Sequence, residues 1–359
     1  MHCGMATGCA NHANIPDDRF LREEMAQWLL ADELGFDSLW ITEHHFSNYS
    51  VSPDPLMYLS WLAGQTRRMR LGTQVLVVPW HDPVRVTEQI ILLDHLSGGR
   101  AIIGFGRGLA RREYEGLRIP QAEARQRLDE GIDLIMTAME TGFIEGGEIW
   151  KQPRRELKPK PLRSLKGRAF TGAGTPDSLT MAAKQGLGRL YLNQPTFPTA
   201  GDPWLETWRA SWPDDPPPKC FVSNLVFVDD SSERAHETGR RYATTTFRNA
   251  IKHYEMDSDH NASVKGYETY KKQSPEAIEK QIEAVAQSTV CGTPQEVLEK
   301  LEGVVRERDP QGLFPHFYTG GMPHEDAVRN MRMFAQHCLR EVKSWPAEST
   351  IGTPLAEAA

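Results

Sequence analysis

Hydrophobic and polar positions along this chain repeat one unit: a short apolar run, a polar or glycine-rich corner, then a stretch with apolar residues at helical spacing. Met1–Cys9 reads as a first strand, weakened by its Gly and Cys content. Leu21, Met25 and Trp28 mark a helix over Arg19–Leu34, closed by Gly35. Phe36–Ile41 is the second strand, and Asp54–Pro55 opens the next helix with an N-cap and a proline at the first helical position. Strand three is Arg70–Val78, rich in β-branched residues. Asp82–Pro83 repeats the cap signal before a helix with the buried stripe Val86, Ile90, Leu93 and Leu96, and Gly98–Gly99 stops it. Strand four is Arg100–Phe105. Leu128, Ile132, Ile135 and Met139 lie on the long helix that follows.

The second half continues the pattern less evenly. Residues Ile144–Lys166 read as an irregular, basic insertion. Strand five is Arg168–Ala173, Thr175–Pro176 starts a helix, and Leu187–Asn193 is strand six. The proline-rich connection Gln194–Lys219 carries one short helical stretch, Trp204–Ser211. Phe221–Val228 is strand seven, followed by a helix from Ser231 to about Tyr254. Met256–Gln273 is polar, aperiodic and expected to be a mobile loop. Thr293-Pro294-Gln295-Glu296 is a capping box. Gly312–Thr319 is strand eight, His324–Val342 the last helix, and the tail past Pro346 is expected to fray. Eight strand-then-helix units predict a parallel sheet closed into a (β/α)8 TIM barrel with insertions over residues 1–345, with 346–359 as a C-terminal tail. An open doubly wound sheet is the competing architecture.

Composition changes this picture little, but it removes whole classes of function. The 359 residues are 25% charged with a net charge of −7, which argues against a nucleic-acid binder relying on bulk charge. No apolar run approaches the ~20 residues of a membrane span. The five cysteines are scattered without a C-x-x-C pair, so neither a disulfide framework nor a structural metal site is expected. With no secretory signal at the N-terminus, a reduced, cytoplasmic protein is expected.

In a barrel the site forms from the loops after the strands' carboxyl ends. Those corners are Thr42-Glu43-His44-His45-Phe46, Pro79-Trp80-His81-Asp82-Pro83, Gly104-Phe105-Gly106-Arg107-Gly108-Leu109 and Gly172-Ala173-Gly174-Thr175-Pro176-Asp177-Ser178. The last joins close backbone approach at glycines to a helix N-terminus with hydroxyls at Thr175 and Ser178, which suits a phosphate; a merely capped helix has the same sequence. Arg107, between two glycines, is either a second clamp on that phosphate or a surface arginine. Glu43-His44-His45 is open between a metal site, a core pair and acid–base work. Lys151–Arg168 is basic enough for an anionic partner, though a solvated insertion fits its lack of aromatics better.

Taken in order, Gly35–Phe46 (GFDSLWITEHHF), Arg70–Arg100, Ile103–Leu109 (IGFGRGL), Ala182–Gly188 (AAKQGLG) and Val290–Leu301 (VCGTPQEVLEKL) resemble the bacterial luciferase family of flavin-dependent monooxygenases. The resemblance implies an (α/β)8 barrel, reduced FMN as cofactor, dioxygen as co-substrate, a small organic substrate, a separate flavin reductase and a homodimer. It implies His44 as the catalytic histidine, Arg107 with Thr175 and Ser178 on the flavin phosphate, and the Thr73–Gln74–Val75 backbone, often with a cis peptide, under the ring. Gly106 and Leu109 match ring-contacting positions, and Met256–Gln273 the site-covering region. Gly106 replaces a thiol of the light-emitting α subunits, Gly174 a carboxylate and Asn193 an indole, so the cofactor site is expected to be kept and the pocket altered. A deazaflavin-dependent oxidoreductase and a non-catalytic flavin-binding subunit are the alternatives.

Overall fold

A computed structural model describes residues 1–192, 203–268 and 270–352. Ten strand segments form one parallel sheet. Its two ends, His2–Cys3 and Met5–Thr7, are separated in the chain only by Gly4. The first half pairs with Gly312–Leu313 and the second with Ser38–Ile41, so one staggered strand closes the ring. Arg70–Thr73 and Leu76–Val77 are likewise one interrupted strand, both pairing with Ala101–Gly106. Eight barrel strands result, completed by Ala169–Thr171, Gly188–Leu192 and Phe221–Ser223. The (β/α)8 barrel expected from the repeat is the observed architecture, and the open sheet is excluded.

The barrel interior is a packed plug of Ala6, Trp40, Ile102, Phe170, Leu190, Phe221 and Phe314. Trp40 stacks 5.0 Å from Phe314 and lies 5.1 Å from Phe221. Such a ring fits because its neighbour strand carries Gly72, where a Cβ would sit 2.6 Å from Trp40 Cε3. Below the plug, at the strands' amino ends, Arg168 forms a bidentate pair with Asp94 at 2.8 and 3.0 Å, both side chains buried. Arg100 donates to the carbonyls of Ala63, Thr66, Met69 and Ser97 and to the Thr66 hydroxyl.

Several expectations are corrected. The tail past Pro346 does not simply fray: Thr350 bonds to Gln311 and Gly167, and Ile351 is buried in the barrel plug as its floor. Leu96 is 62% exposed, so the helix Pro83–Leu96 buries only the first three positions of its expected stripe. Phe221–Val228 is two strands. Val226–Val228 leaves the barrel and pairs with Val290–Gly292, held there by Asn330, which accepts from Val228 N–H at 2.9 Å and donates to the Val226 carbonyl at 2.7 Å. Strand eight ends at Leu313, since Pro315 has no N–H for a ladder. The insertion contains an antiparallel hairpin, Phe143–Gly146 with Gln152–Glu156. Pro275–Ser288 is a helix that the polar surroundings concealed, capped by Ser274 and burying Ile282, Val285 and Ala286. Among the described residues no helix is long and apolar enough to cross a membrane.

Candidate active site

The carboxyl ends of the strands open onto a cavity of about 680 Å³. Its base is set where strand three is interrupted. The Gln74–Val75 peptide is cis, and the Val75 side chain projects against strand four, where a Cβ on Gly106 would lie 2.1 Å from Val75 Cγ2. Glycine is thus required at 106 as long as Val75 holds this position. Glu43, fully buried, fixes the turn from the other side: it accepts from Val77 N–H at 2.7 Å and from His81 Nε2 at 2.6 Å. Burial alone would raise the Glu43 carboxyl. The His81 charge and hydrogen bonds from His45, His81 and Val77 hold it below its usual range, and Glu43 in turn lifts His81 against the opposing effect of burial. Glu43 is therefore a positioning carboxylate with an imidazolium partner.

His44, on the corner after strand two, faces the cavity with its position fixed by an acid the sequence did not single out. Its Nδ1 lies 3.0 Å from Glu113 Oε1, which also accepts His45 N–H at 2.8 Å. A carboxylate there accepts from Nδ1–H, which turns Nε2 toward the Tyr254 hydroxyl, 3.4 Å away. Burial alone would raise Glu113. The close imidazole of His253 and the hydrogen bond and charge of His44 bring it down to about 2. His253 Nε2 lies 3.4 Å from the same oxygen, off the line of a hydrogen bond, and burial depresses its basicity against the pull of Glu113. Tyr49 stacks on His253 at 4.3 Å and meets His44 edge-on at 4.9 Å. The ligand atoms of His44, Glu113 and His253 lie within 4.8 Å of one another, a spacing a divalent ion could bridge. The hydrogen bond already joining two of them makes the set a proton network.

Across the mouth, the helix Pro176–Lys184 begins at Thr175, whose hydroxyl caps Ser178 N–H and contacts Ser178 Oγ at 2.7 Å. Arg125, early on the helix Ala124–Thr141, donates to the same Ser178 oxygen and pairs with Asp129 at 3.4 Å. Arg107 reaches across to the 256–273 segment, donating to the Gly266 carbonyl at 2.6 Å and lying 3.9 Å over the Tyr267 ring. Tyr267 is buried and donates to the Gly108 carbonyl at 2.8 Å. The segment expected to be mobile is therefore a strap tied to the arginine corner. Two guanidinium groups, two hydroxyls and a helix N-terminus form an anion cradle.

His44, Gln74, Val75, Gly106, Arg107, Leu109, Gly174, Thr175 and Ser178 all line this one cavity. Thr73 does not: its hydroxyl is spent on both backbone groups of Gly104, at 2.9 Å each, inside the barrel wall. Asn193 lies outside the described residues. Glu113, Arg125 and His253, on helices, and Tyr254, the cap just past one, were missed because they lie away from the strand corners. The only trace of Glu113 was the charged run Arg111-Arg112-Glu113 just past the G-x-G-R-G corner. The basic insertion is largely self-neutralised, with Arg154 on Glu145, Lys158 and Lys160 on Glu156, and Arg168 on Asp94.

Comparison with known proteins agrees with this architecture. Residues 1–309 match the profile of the luciferase-like monooxygenases. The chain is 31% identical over 194 residues to 4-hydroxyprotoasukamycin monooxygenase of Streptomyces nodosus subsp. asukaensis, covering 53% of this chain and 50% of that protein. It is 32% identical over 160 residues to the oxygenase component of a flavin-dependent trigonelline monooxygenase of Acinetobacter baylyi, covering 44% of each. The chain thus spans about half the length of these relatives or less. In fold it is similar to the oxygenating constituent of 3,6-diketocamphane monooxygenase from Pseudomonas putida, solved in complex with FMN. That TM-score is 0.73 at 14% identity, over 96% of this chain and 100% of the other. With its profile matched over most of its length and its barrel shared, the chain belongs to the luciferase-like monooxygenase family.

Proposed function

We propose that this protein is the oxygenase of a two-component flavin monooxygenase, using reduced FMN and dioxygen to oxidise a small organic substrate. The observation that carries the reading is the anion cradle of Arg107, Arg125, Thr175 and Ser178, joined by the Val75–Gly106 ledge to a cavity-lining histidine oriented by Glu113. The donor set fits a phosphate monoester: guanidinium and hydroxyl donors at a helix N-terminus, with no carboxylate among them except Asp129, already paired with Arg125. Reduced FMN, when bound, supplies the electrons that place one oxygen atom in the substrate and release the other as water.

The chain's own groups do the rest. Arg107 and Arg125, with the Thr175 and Ser178 hydroxyls, would hold the phosphate. Val75 and Gly106 form a flat support for a ring. His44 Nε2 moves a proton at the reacting centre while Glu113 keeps Nδ1 protonated and the ring oriented. Tyr49, His253 and Tyr254 pack around His44 and exclude water from it. A separate reductase supplies reduced flavin, in keeping with the name of the Acinetobacter relative, and the working form is a homodimer.

The test is a titration of the purified protein with FMN and with a deazaflavin, followed by turnover under labelled dioxygen. FMN binding with label in the product is expected. Binding of the deazaflavin alone, or FMN binding without turnover at any substrate, contradicts the reading.

A further inference from the structure

The cavity extends beyond the cradle and His44 to a wall built from the ends of strands seven, eight and one, on the side of the barrel away from strands four and five. Polar groups stand unpaired there. Ser223, 2% exposed, has no hydrogen-bond partner for its Oγ among the described residues. Neither ring nitrogen of His12 has one, nor does Gln273 Oε1 on the strap. All three residues line the cavity. Beside Ser223, His316 meets the Gln74 amide at 3.2 Å, which closes that pair internally. The body of the wall is apolar, with Leu225, Phe247 and Phe314.

Most charges near the cavity are, by contrast, already matched, the exceptions among the described lining residues being Arg107 of the cradle and the exposed Lys271. Glu43 holds His81, Glu113 holds His44, Glu255 holds Arg111, and Asp129 holds Arg125. Burial keeps His12 and His316 neutral, each titrating at about 4. A hydrocarbon or long-chain aldehyde filling this wall would leave buried hydroxyl and amide groups unsatisfied, at a cost for each. An anionic substrate would find no free buried cation among the described residues.

We propose that this wall is the substrate subsite and that it selects a neutral, ring-bearing alcohol or phenol, with Ser223 and Gln273 as the groups that take its hydroxyl. The apolar residues hold the ring, the serine hydroxyl both gives and accepts a hydrogen bond, and the glutamine oxygen accepts one from the substrate O–H. The assignment rests on the monooxygenase reading only for what becomes of the bound molecule.

The experiment is calorimetric titration of the FMN-loaded protein with 1-naphthol and with naphthalene, which differ by one hydroxyl. The naphthol is expected to bind at least tenfold tighter. Ser223→Ala should shrink that ratio below threefold with FMN affinity unchanged, and Gln273→Leu, on the strap, should do the same should the serine variant fail to fold. Equal affinity for the two compounds, binding of neither, or variants that weaken FMN instead of the naphthol overturn the subsite. Discrimination that persists in a protein unable to bind FMN keeps the subsite and removes the flavin reading, so the two claims fail separately.

Discussion

The two rims of the barrel treat buried polar groups in opposite ways. At the lower rim every strong group named above is matched: Arg168 with Asp94, Arg100 with four carbonyls and a hydroxyl, and Ile351 sealing the floor. At the upper rim Ser223 Oγ, Gln273 Oε1, both His12 nitrogens, Glu113 Oε2 and His253 Nε2 lack hydrogen-bond partners among the described residues. An unpaired buried polar atom costs about 1–3 kcal/mol, so the lower rim stabilises the fold while the upper rim holds groups whose partners a ligand must supply. The contrast teaches where to look. Stability and chemistry sit at opposite ends of the same strands, and substitutions should separate them.

The largest expected effect is at the lower rim. Asp94→Ala leaves the Arg168 guanidinium buried without its counter-charge and should cost about 3–5 kcal/mol of stability in urea unfolding, with FMN affinity of the folded fraction unchanged. A loss below about 1 kcal/mol, or a parallel loss of FMN binding, breaks the division between the rims. Next, His44→Ala should lower turnover by roughly 100-fold or more while melting temperature and FMN binding stay put; unaltered turnover removes the proton role. Arg107→Ala should weaken FMN binding by about 2–3 kcal/mol, the scale of a lost charge-assisted contact. The naphthol-to-naphthalene ratio should not move in that variant if the cradle and the far wall are independent.

The most diffuse effect is one of pH. Burial holds His2, His12 and His316 at about 4 in the folded chain, against 6.5 when unfolded. The unfolded chain therefore takes up protons first as pH falls. Stability should decline between about pH 6.5 and 4 by roughly 1.4 kcal/mol per unit for each histidine, and level off below. Melting curves that stay flat over that window contradict the buried neutral state. His12 and His316 lie at the upper rim, so their replacement by Gln should remove most of the slope.

The barrel was legible in the sequence because short apolar runs alternate with helically spaced stripes, and three of the intervening helices start at the Asp54–Pro55, Asp82–Pro83 and Thr175–Pro176 caps. Corners two to five carried His44, Gln74, Gly106, Arg107, Thr175 and Ser178 into one cavity for the same reason. What stayed hidden depends on contacts between distant segments. Glu113 meets His44 across 69 residues, and His253 lies close to the same carboxylate from the last residue of the polar helix Ser232–His253. The split of Phe221–Val228 is set by Asn330, more than 100 residues away. The resemblance assigned the Thr73–Gln74–Val75 backbone as a unit, and it could not show that the Thr73 hydroxyl turns to Gly104 inside the barrel wall.

The most direct measurement is a comparison of FMN with riboflavin, which lacks only the phosphate, on the native protein and on Arg107→Ala. The account predicts that FMN binds native protein roughly 30- to 150-fold more tightly than riboflavin, and that the variant loses most of this preference while its riboflavin affinity is unchanged. Equal binding of the two by the native protein would contradict it.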